Sequence, residues 1–278
     1  MIPLHEISAW RNSAPWGDDM MVEQDLLLTR CIAAIFADPF LREQVAMRGG
    51  TVLHKVHLAP AARYSEDIDL VIVGSRPKRH VLLALHRVLN PILGEPRSST
   101  WADVVLAIRN LTMKSTILKI EWFYRPTVSP QEEAKIKVEA NCNEREPCYR
   151  VVQMDADDGV SVISYDINEM LGTKMRALFQ RKQGRDLFDL WWAWTMSEAG
   201  KSAHPILPDQ VVKAFQIYVA REGTRVGRAE FTRELDDKMT LNRFRHDMDA
   251  LLRPDLPKYD IEEARAVVQA TFIDPLDN

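Results

Sequence analysis

The chain is poor in the features that mark exported, membrane-embedded or nucleic-acid-coating proteins. It has three cysteines in 278 residues: Cys31, Cys142 and Cys148. The number is odd, and the spacings fit neither a zinc ribbon nor a secreted disulfide framework, so free thiols in a reducing compartment are expected. No apolar stretch reaches the length of a membrane span, and MIPLHEISAW lacks a basic start followed by an apolar core. A cytoplasmic protein with no membrane partner is the expectation. Positive charge is also short, with 36 Lys and Arg against 40 Asp and Glu and a net charge of −4. Nucleic-acid binding would therefore need a local basic patch. There is no internal repeat and no low-complexity tract.

What is present is the composition of an ordinary globular protein, long enough for two modest domains. From Val22 to Arg48 the apolar spacing predicts two amphipathic helices, interrupted at Asp38-Pro39. Gly49-Gly50 then opens a short helix, with Thr51 as its expected cap. Ile68 to Val73, rich in β-branched residues and closed by Gly74-Ser75, reads as a buried strand. A helix from Arg76 to Leu93 follows, then a pair of strands from Asp103 to Pro126 and another over AKIKVEANCNE. Beyond about residue 155 the pattern is helical: INEMLGTKMRALFQRKQ, RDLFDLWWAWTMSE, PDQVVKAFQIYVARE, AEFTRELDDKM, LNRFRHDMDALL and IEEARAVVQATF. These elements predict an α/β (α+β) domain with a mixed sheet over residues 1–155 and an all-helical domain over 156–278.

The stretch RYSEDIDLVIVG crowds its acidic residues at one end of an apolar strand. Alternation puts Asp67 and Asp69 on one face and Ile68 and Leu70 on the other. Two carboxylates that close repel unless a cation sits between them, and hard oxygen ligands favour Mg²⁺ or Mn²⁺. A phosphoryl-transfer site of this kind wants a third carboxylate from a neighbouring strand. Glu139 in IKVEAN ranks first, while Glu121 in LKIEWFY has the same local pattern and stays open. An isolated D-x-D is more simply an acidic turn, and a Gly pair a plain turn. Together they say more, because adjacent glycines at a helix start let backbone N–H groups approach a phosphate.

RGGTVLHKVHLAPAARYSEDIDLVIVG and EMLGTKMRALFQRKQGRDLFDLWW, in that order, resemble the AbiEii/AbiGii toxin family, which includes the MenT-type toxins. The resemblance runs from about Arg48 to Trp192. It implies a DNA-polymerase-β-like minimal nucleotidyltransferase with an appended helical domain that contributes basic residues to the active-site cleft. It further implies Mg²⁺-dependent transfer of a nucleotide from an NTP to an RNA acceptor, above all the 3′ end of tRNA, by the toxin of a toxin–antitoxin or phage-defence system with a cognate antitoxin as partner. Translation and growth would then be blocked. By position, Gly49 and Gly50 would line the triphosphate, Asp67, Asp69 and Glu139 would hold metal, and Lys174 would meet the nucleotide. Arg185 and Asp189 are carried as further nucleotide-binding residues. The family pattern commonly has Asp at the third carboxylate, and Glu139 offers oxygen ligands on a longer arm.

On a helical wheel Lys174 falls on the polar margin, with Arg181, Lys182 and Arg185 supplying local positive charge. The same residues also fit a solvated helix face. Gly184 would end one helix and Asp186 cap the next. A phosphate on Ser65, two residues before Asp67, would add charge beside the metal ligands and oppose NTP binding. His54 and His57 lack a third ligand and read as surface or structural residues, and His246-Asp247 stands without the other elements of a metal phosphohydrolase. Trp191, Trp192 and Trp194 could stack bases, yet at these helical spacings at least two are expected to pack between the domains. Two other functions remain: transfer to a small-molecule or protein hydroxyl, or an idle RNA- or antitoxin-binding module. Mutually repelling carboxylates argue against the idle module.

Overall fold

The computed structural model describes residues 2–108, 111–144, 151–155 and 161–277. Cys148, and residues 156–160 beside the expected domain boundary, lie outside them. The chain divides into two compact units, Met1–Leu106 with Thr112–Tyr165 and Ala107–Leu111 with Asp166–Asn278.

The first unit begins with helices α1 (Leu4–Trp10), α2 (Asp19–Ala37) and α3 (Pro39–Gln44). Asp18 caps α2 by accepting from the Met20 amide at 2.8 Å. Asp38 caps α3 through the Leu41 amide at 2.9 Å, and Pro39 opens that helix, so the interruption lies where the sequence puts it. The second helix does not run on to Arg48. Val45–Arg48 is instead strand β1, its first three residues buried between neighbouring strands. An apolar four-residue run cannot reveal this alone, because it fits a buried strand as well as the end of a helix.

Gly49–Val52 forms α4, which continues as a π-helical turn over Leu53–His57. Strand β2 (Asp67–Ile72) and helix α5 (Lys78–Leu93) follow, then β3 (Ser98–Ile108), β4 (Leu111–Tyr124), β5 (Ala134–Asn141), β6 (Val151–Asp155) and β7 (Ser161–Tyr165). The seven strands make one mixed sheet in the order β3-β4-β5-β2-β1-β7-β6. β2 sits at its centre, parallel to β5 and antiparallel to β1. One face of the sheet is apolar: Ile68, Leu70, Leu118, Ile120, Trp122, Ile136 and Val138 are all buried. Helix α2 lies against β2 and β7, and α5 packs on α2 and α3. Asn90 of α5 accepts from the Trp122 indole at 3.1 Å. With the core on that face, every charged residue of the central strands faces the other way.

The second unit is helical outside Ala107–Leu111. It comprises α6 (Ile167–Gln180), α7 (Gly184–Glu198), α8 (Pro208–Arg221), α9 (Arg228–Met239), α10 (Asn242–Arg245) and α11 (Ile261–Val268), the last continuing as a π-helical turn over Gln269–Ile273. Helix α6 packs on α7, α8 and α9, and α7 on α11. The helix expected over LNRFRHDMDALL shrinks to the single turn of α10. Trp191 packs at a tilt against Phe188 and Tyr259, at centroid distances of 5.7 and 5.3 Å, and Trp194 lies 6.1 Å from Phe272. These tryptophans make packing contacts inside the helical unit.

Candidate active site

Register brings the carboxylates together. Asp69 of β2 stands opposite Glu139 of β5, and Asp67 opposite Lys137. Across β5, Lys119 of β4 faces Glu139 and Glu121 faces Lys137. On the other side of β2, Arg48 of β1 faces Asp69. Partners in a ladder project to the same face, so Asp67, Asp69 and Glu139 share the face away from the core. Glu121 shares it too, but from the far side of β5. Its Oε1 accepts from Lys135 at 3.0 Å and lies 3.5 Å from the Lys119 ammonium. That hydrogen bond, with Lys119 beside it, holds the Glu121 carboxyl below its usual range.

Two further cations flank the β2 carboxylates. The Lys137 ammonium lies 2.7 Å from Asp67 Oδ2 and 3.3 Å from Glu139 Oε1. Arg48, which flanks Asp69 in the ladder, pairs with Glu144 just past the end of β5. Asp69 sits among several charges. Burial, followed by the neighbouring Asp67 carboxylate, pushes its carboxyl above the usual range; Arg48 and Lys137 pull it back, and Glu139 adds to the rise. Lys137 responds in the opposite sense. Burial lowers its pKa, but the hydrogen bond to Asp67 and the charges of Asp67, Glu139 and Asp69 together raise it above the ordinary lysine value.

The glycine pair is held against these carboxylates. Gly49 has φ +84°, in the left-handed region, and a Cβ there would lie less than 3.0 Å from Asp69 Oδ2. Both the backbone conformation and the close approach require glycine. Gly50 is covered by the buried Arg63, whose guanidinium occupies the place a Cβ would take and donates to the Tyr64 carbonyl at 2.9 Å. Thr51 is not the cap: Arg48 holds that position, without a side-chain capping bond. The Thr51 hydroxyl instead hydrogen-bonds Ser65 at 2.8 Å and the Asp67 carbonyl at 2.5 Å, tying α4 to the start of β2. Sequence reasoning passed over Arg63 and this tether, because both depend on a loop folding back over the glycines.

Both histidines of this helix are buried. His57 Nε2 lies 2.9 Å from Ser164 Oγ, whose hydroxyl donates to the Met47 carbonyl at 3.0 Å. His246 is exposed, 2.8 Å from Asp249. Cys31 and Cys142 are buried free thiols, and burial pushes Cys31 up to about 12.

In the helical unit, Lys174 of α6 is not on a solvated margin. It is buried, 3.2 Å from Asp186 Oδ1 and 2.7 Å from Asp189 Oδ2, both from α7. Asp186 does not cap that helix. Gly184 begins α7, Gln183 occupies the cap position, and Asp186 sits in the first turn, with Arg181 3.6 Å from its Oδ2. The Arg185 amide donates to Asp247 at 2.9 Å, and its side chain reaches Gln183 at 3.3 Å. A wheel drawn on α6 alone cannot show this, since it contains no information about α7.

The donor chemistry of Asp67, Asp69 and Glu139 fits a hard divalent cation: three carboxylates converge on one face, and one of them is partly desolvated. As they stand, no three His, Cys, Asp or Glu side chains among the described residues are gathered closely enough to hold one. Lys137 takes up the space between Asp67 and Glu139. No helix among the described residues is long and apolar enough to cross a membrane.

Solved structures share this fold. MenT4, a nucleotidyltransferase toxin from Mycobacterium tuberculosis, superposes with a TM-score of 0.58 at 16% identity, covering 100% of this chain and 91% of that one. A putative nucleotidyltransferase from H. pylori gives a TM-score of 0.51 at 17% identity, covering 91% and 93%. At such identities the likeness establishes the fold, that of a nucleotidyltransferase with a mixed sheet and a helical C-terminal part. No curated protein sequence matches the chain. The family model described as "Nucleotidyl transferase AbiEii toxin, Type IV TA system" matches residues 30–270, beyond both ends of the stretch that carries the sequence resemblance. The chain therefore belongs to the AbiEii family of nucleotidyl transferase toxins.

Proposed function

We propose that this nucleotidyltransferase uses Mg²⁺ or Mn²⁺, held by Asp67, Asp69 and Glu139, to transfer a nucleotide from an NTP to the 3′ end of tRNA, blocking translation and growth. The observation that carries the reading is the register Asp69↔Glu139 beside Gly49 and Gly50. Glu139 is preferred to Glu121 because it adjoins β2 directly, whereas Glu121 is engaged by Lys135 and Lys119. When bound, the metal would supply positive charge for the attacking oxygen and for the departing pyrophosphate.

The chain's own residues do the positioning. The carboxylates gather cationic charge on one face, and the amides of Gly49 and Gly50, with the Arg63 guanidinium beside Gly50, serve the triphosphate. Lys174 is assigned to the nucleotide by its place in the family's second stretch, with Arg185 and Asp189 as further nucleotide residues. A type IV toxin implies a cognate antitoxin, and phage defence is the wider setting proposed.

Purified protein incubated with Mg²⁺, total tRNA and each α-labelled NTP in turn tests the assignment against an Asp67→Ala control. Label on tRNA that disappears in the control is the expected result. With protein that still binds NTP, absence of label on RNA would shift the acceptor to a protein or small-molecule hydroxyl.

Ser65 is proposed as a regulatory position. A phosphate there would break the contact with Thr51 and add negative charge two residues from Asp67. Full transfer activity in Ser65→Glu would count against it.

A further inference from the structure

We propose that Lys137 is a resident counter-cation of the acidic face, a positioning residue that holds Asp67 and Glu139 until a divalent cation displaces it. The inference rests on the reading that these carboxylates bind metal. Three observations carry it, beginning with register. Lys137 stands opposite Asp67 and two residues before Glu139 on the same strand, and its ammonium reaches both, at 2.7 and 3.3 Å.

The second observation is how lysines are allotted along this face. Lys135 and Lys119 both engage Glu121, the carboxylate furthest from β2. Lys137 alone among these three is given to the Asp67–Glu139 pair. The third is that Asp67 and Glu139 both engage the ammonium, while among the described residues no three-ligand cluster forms.

The trio is also built to exchange. The side chains of Lys137, Asp67 and Glu139 retain 20%, 32% and 31% of their exposure, so an incoming ion can reach the carboxylates without unfolding anything. An ammonium on a flexible four-carbon stem can swing out as a dication enters, exchanging one positive charge for two. The price of this arrangement is weaker metal binding. Its return is a freed ammonium beside the site, where a triphosphate brings negative charge.

The test measures Mn²⁺ binding to the full chain without nucleotide, by the loss of the free-ion electron paramagnetic resonance signal. Wild type is compared with Lys137→Met, Lys137→Arg and Asp69→Asn. Removing a unit charge within a few ångströms of the ion should tighten binding on the order of tenfold in Lys137→Met. Lys137→Arg, which keeps the charge, should stay within about twofold of wild type by the same reasoning, and Asp69→Asn should lose binding.

Mn²⁺ bound by Lys137→Met but not by wild type would also support the proposal, as the limiting case of the same competition. Equal or weaker binding by Lys137→Met, with wild-type binding still lost in Asp69→Asn, would overturn the counter-cation and leave the metal reading intact. Binding by none of the Lys137 forms, or binding indifferent to Asp69→Asn, would overturn both.

Discussion

The sheet and the helical unit each place a lysine between two carboxylates, and they bury the two trios very differently. Lys137, Asp67 and Glu139 remain open to solvent. Lys174, Asp186 and Asp189 retain only 9%, 2% and 0% of their side-chain exposure. The same three charges thus serve two physical ends. In the partly exposed trio each ion keeps some of its water, so partners can be traded at lower cost. In the buried trio each ion has lost nearly all of its water and depends on the others, so removing one forfeits a contact that water cannot replace.

The largest effect should therefore follow from breaking the buried trio. Asp189→Asn is expected to lower the unfolding free energy by about 3 kcal/mol in urea titration. A loss below about 1 kcal/mol would mean that Lys174 is as loosely held as a surface lysine, and the contrast would fail.

Lys238 sharpens the comparison as a lysine buried mainly among carbonyls. It donates to the Leu178 and Phe179 carbonyls at 2.5 and 2.6 Å, closing the end of α6. Burial brings its pKa down to about 8 from 10.5, with Lys182 acting in the same direction and Glu234 and Asp186 opposing. Between these values the unfolded chain binds more protons than the folded one, so this group's contribution to stability rises with pH from about 8 to 10.5. Below that window it is constant and least favourable. Wild type minus Lys238→Met, followed by thermal unfolding across this window, should show the rise; a flat difference would return Lys238 to an ordinary solvated lysine.

The smallest effect belongs to the open trio. Lys137→Met should change stability by less than about 1 kcal/mol. A loss as large as that of Asp189→Asn would show that Lys137 is a structural pillar.

Much of the candidate site was legible because it depends on short-range rules. Alternation placed Asp67 and Asp69 on one face, and Gly49-Gly50 marked a helix start where side chains do not fit. What escaped depends on which segments meet. β1 was read as helix because an apolar run such as Val45-Ala46-Met47 carries no period of its own. β6 and β7 were not anticipated at all. Lys137 was visible as a neighbour of Glu139, but its bond to Asp67 requires knowing that β5 lies parallel to β2. Lys174 was misplaced for a similar reason, since the carboxylates that bury it come from another helix.

The parallel pairing of β2 and β5 also works as a combination lock. Sliding β5 by two positions would bring Lys137 or Asn141, in place of Glu139, against Asp69, and sliding it by one would turn the whole set inward. Insertions or deletions in the connecting segments could therefore disarm this toxin without altering a single acidic residue, provided they moved the strand.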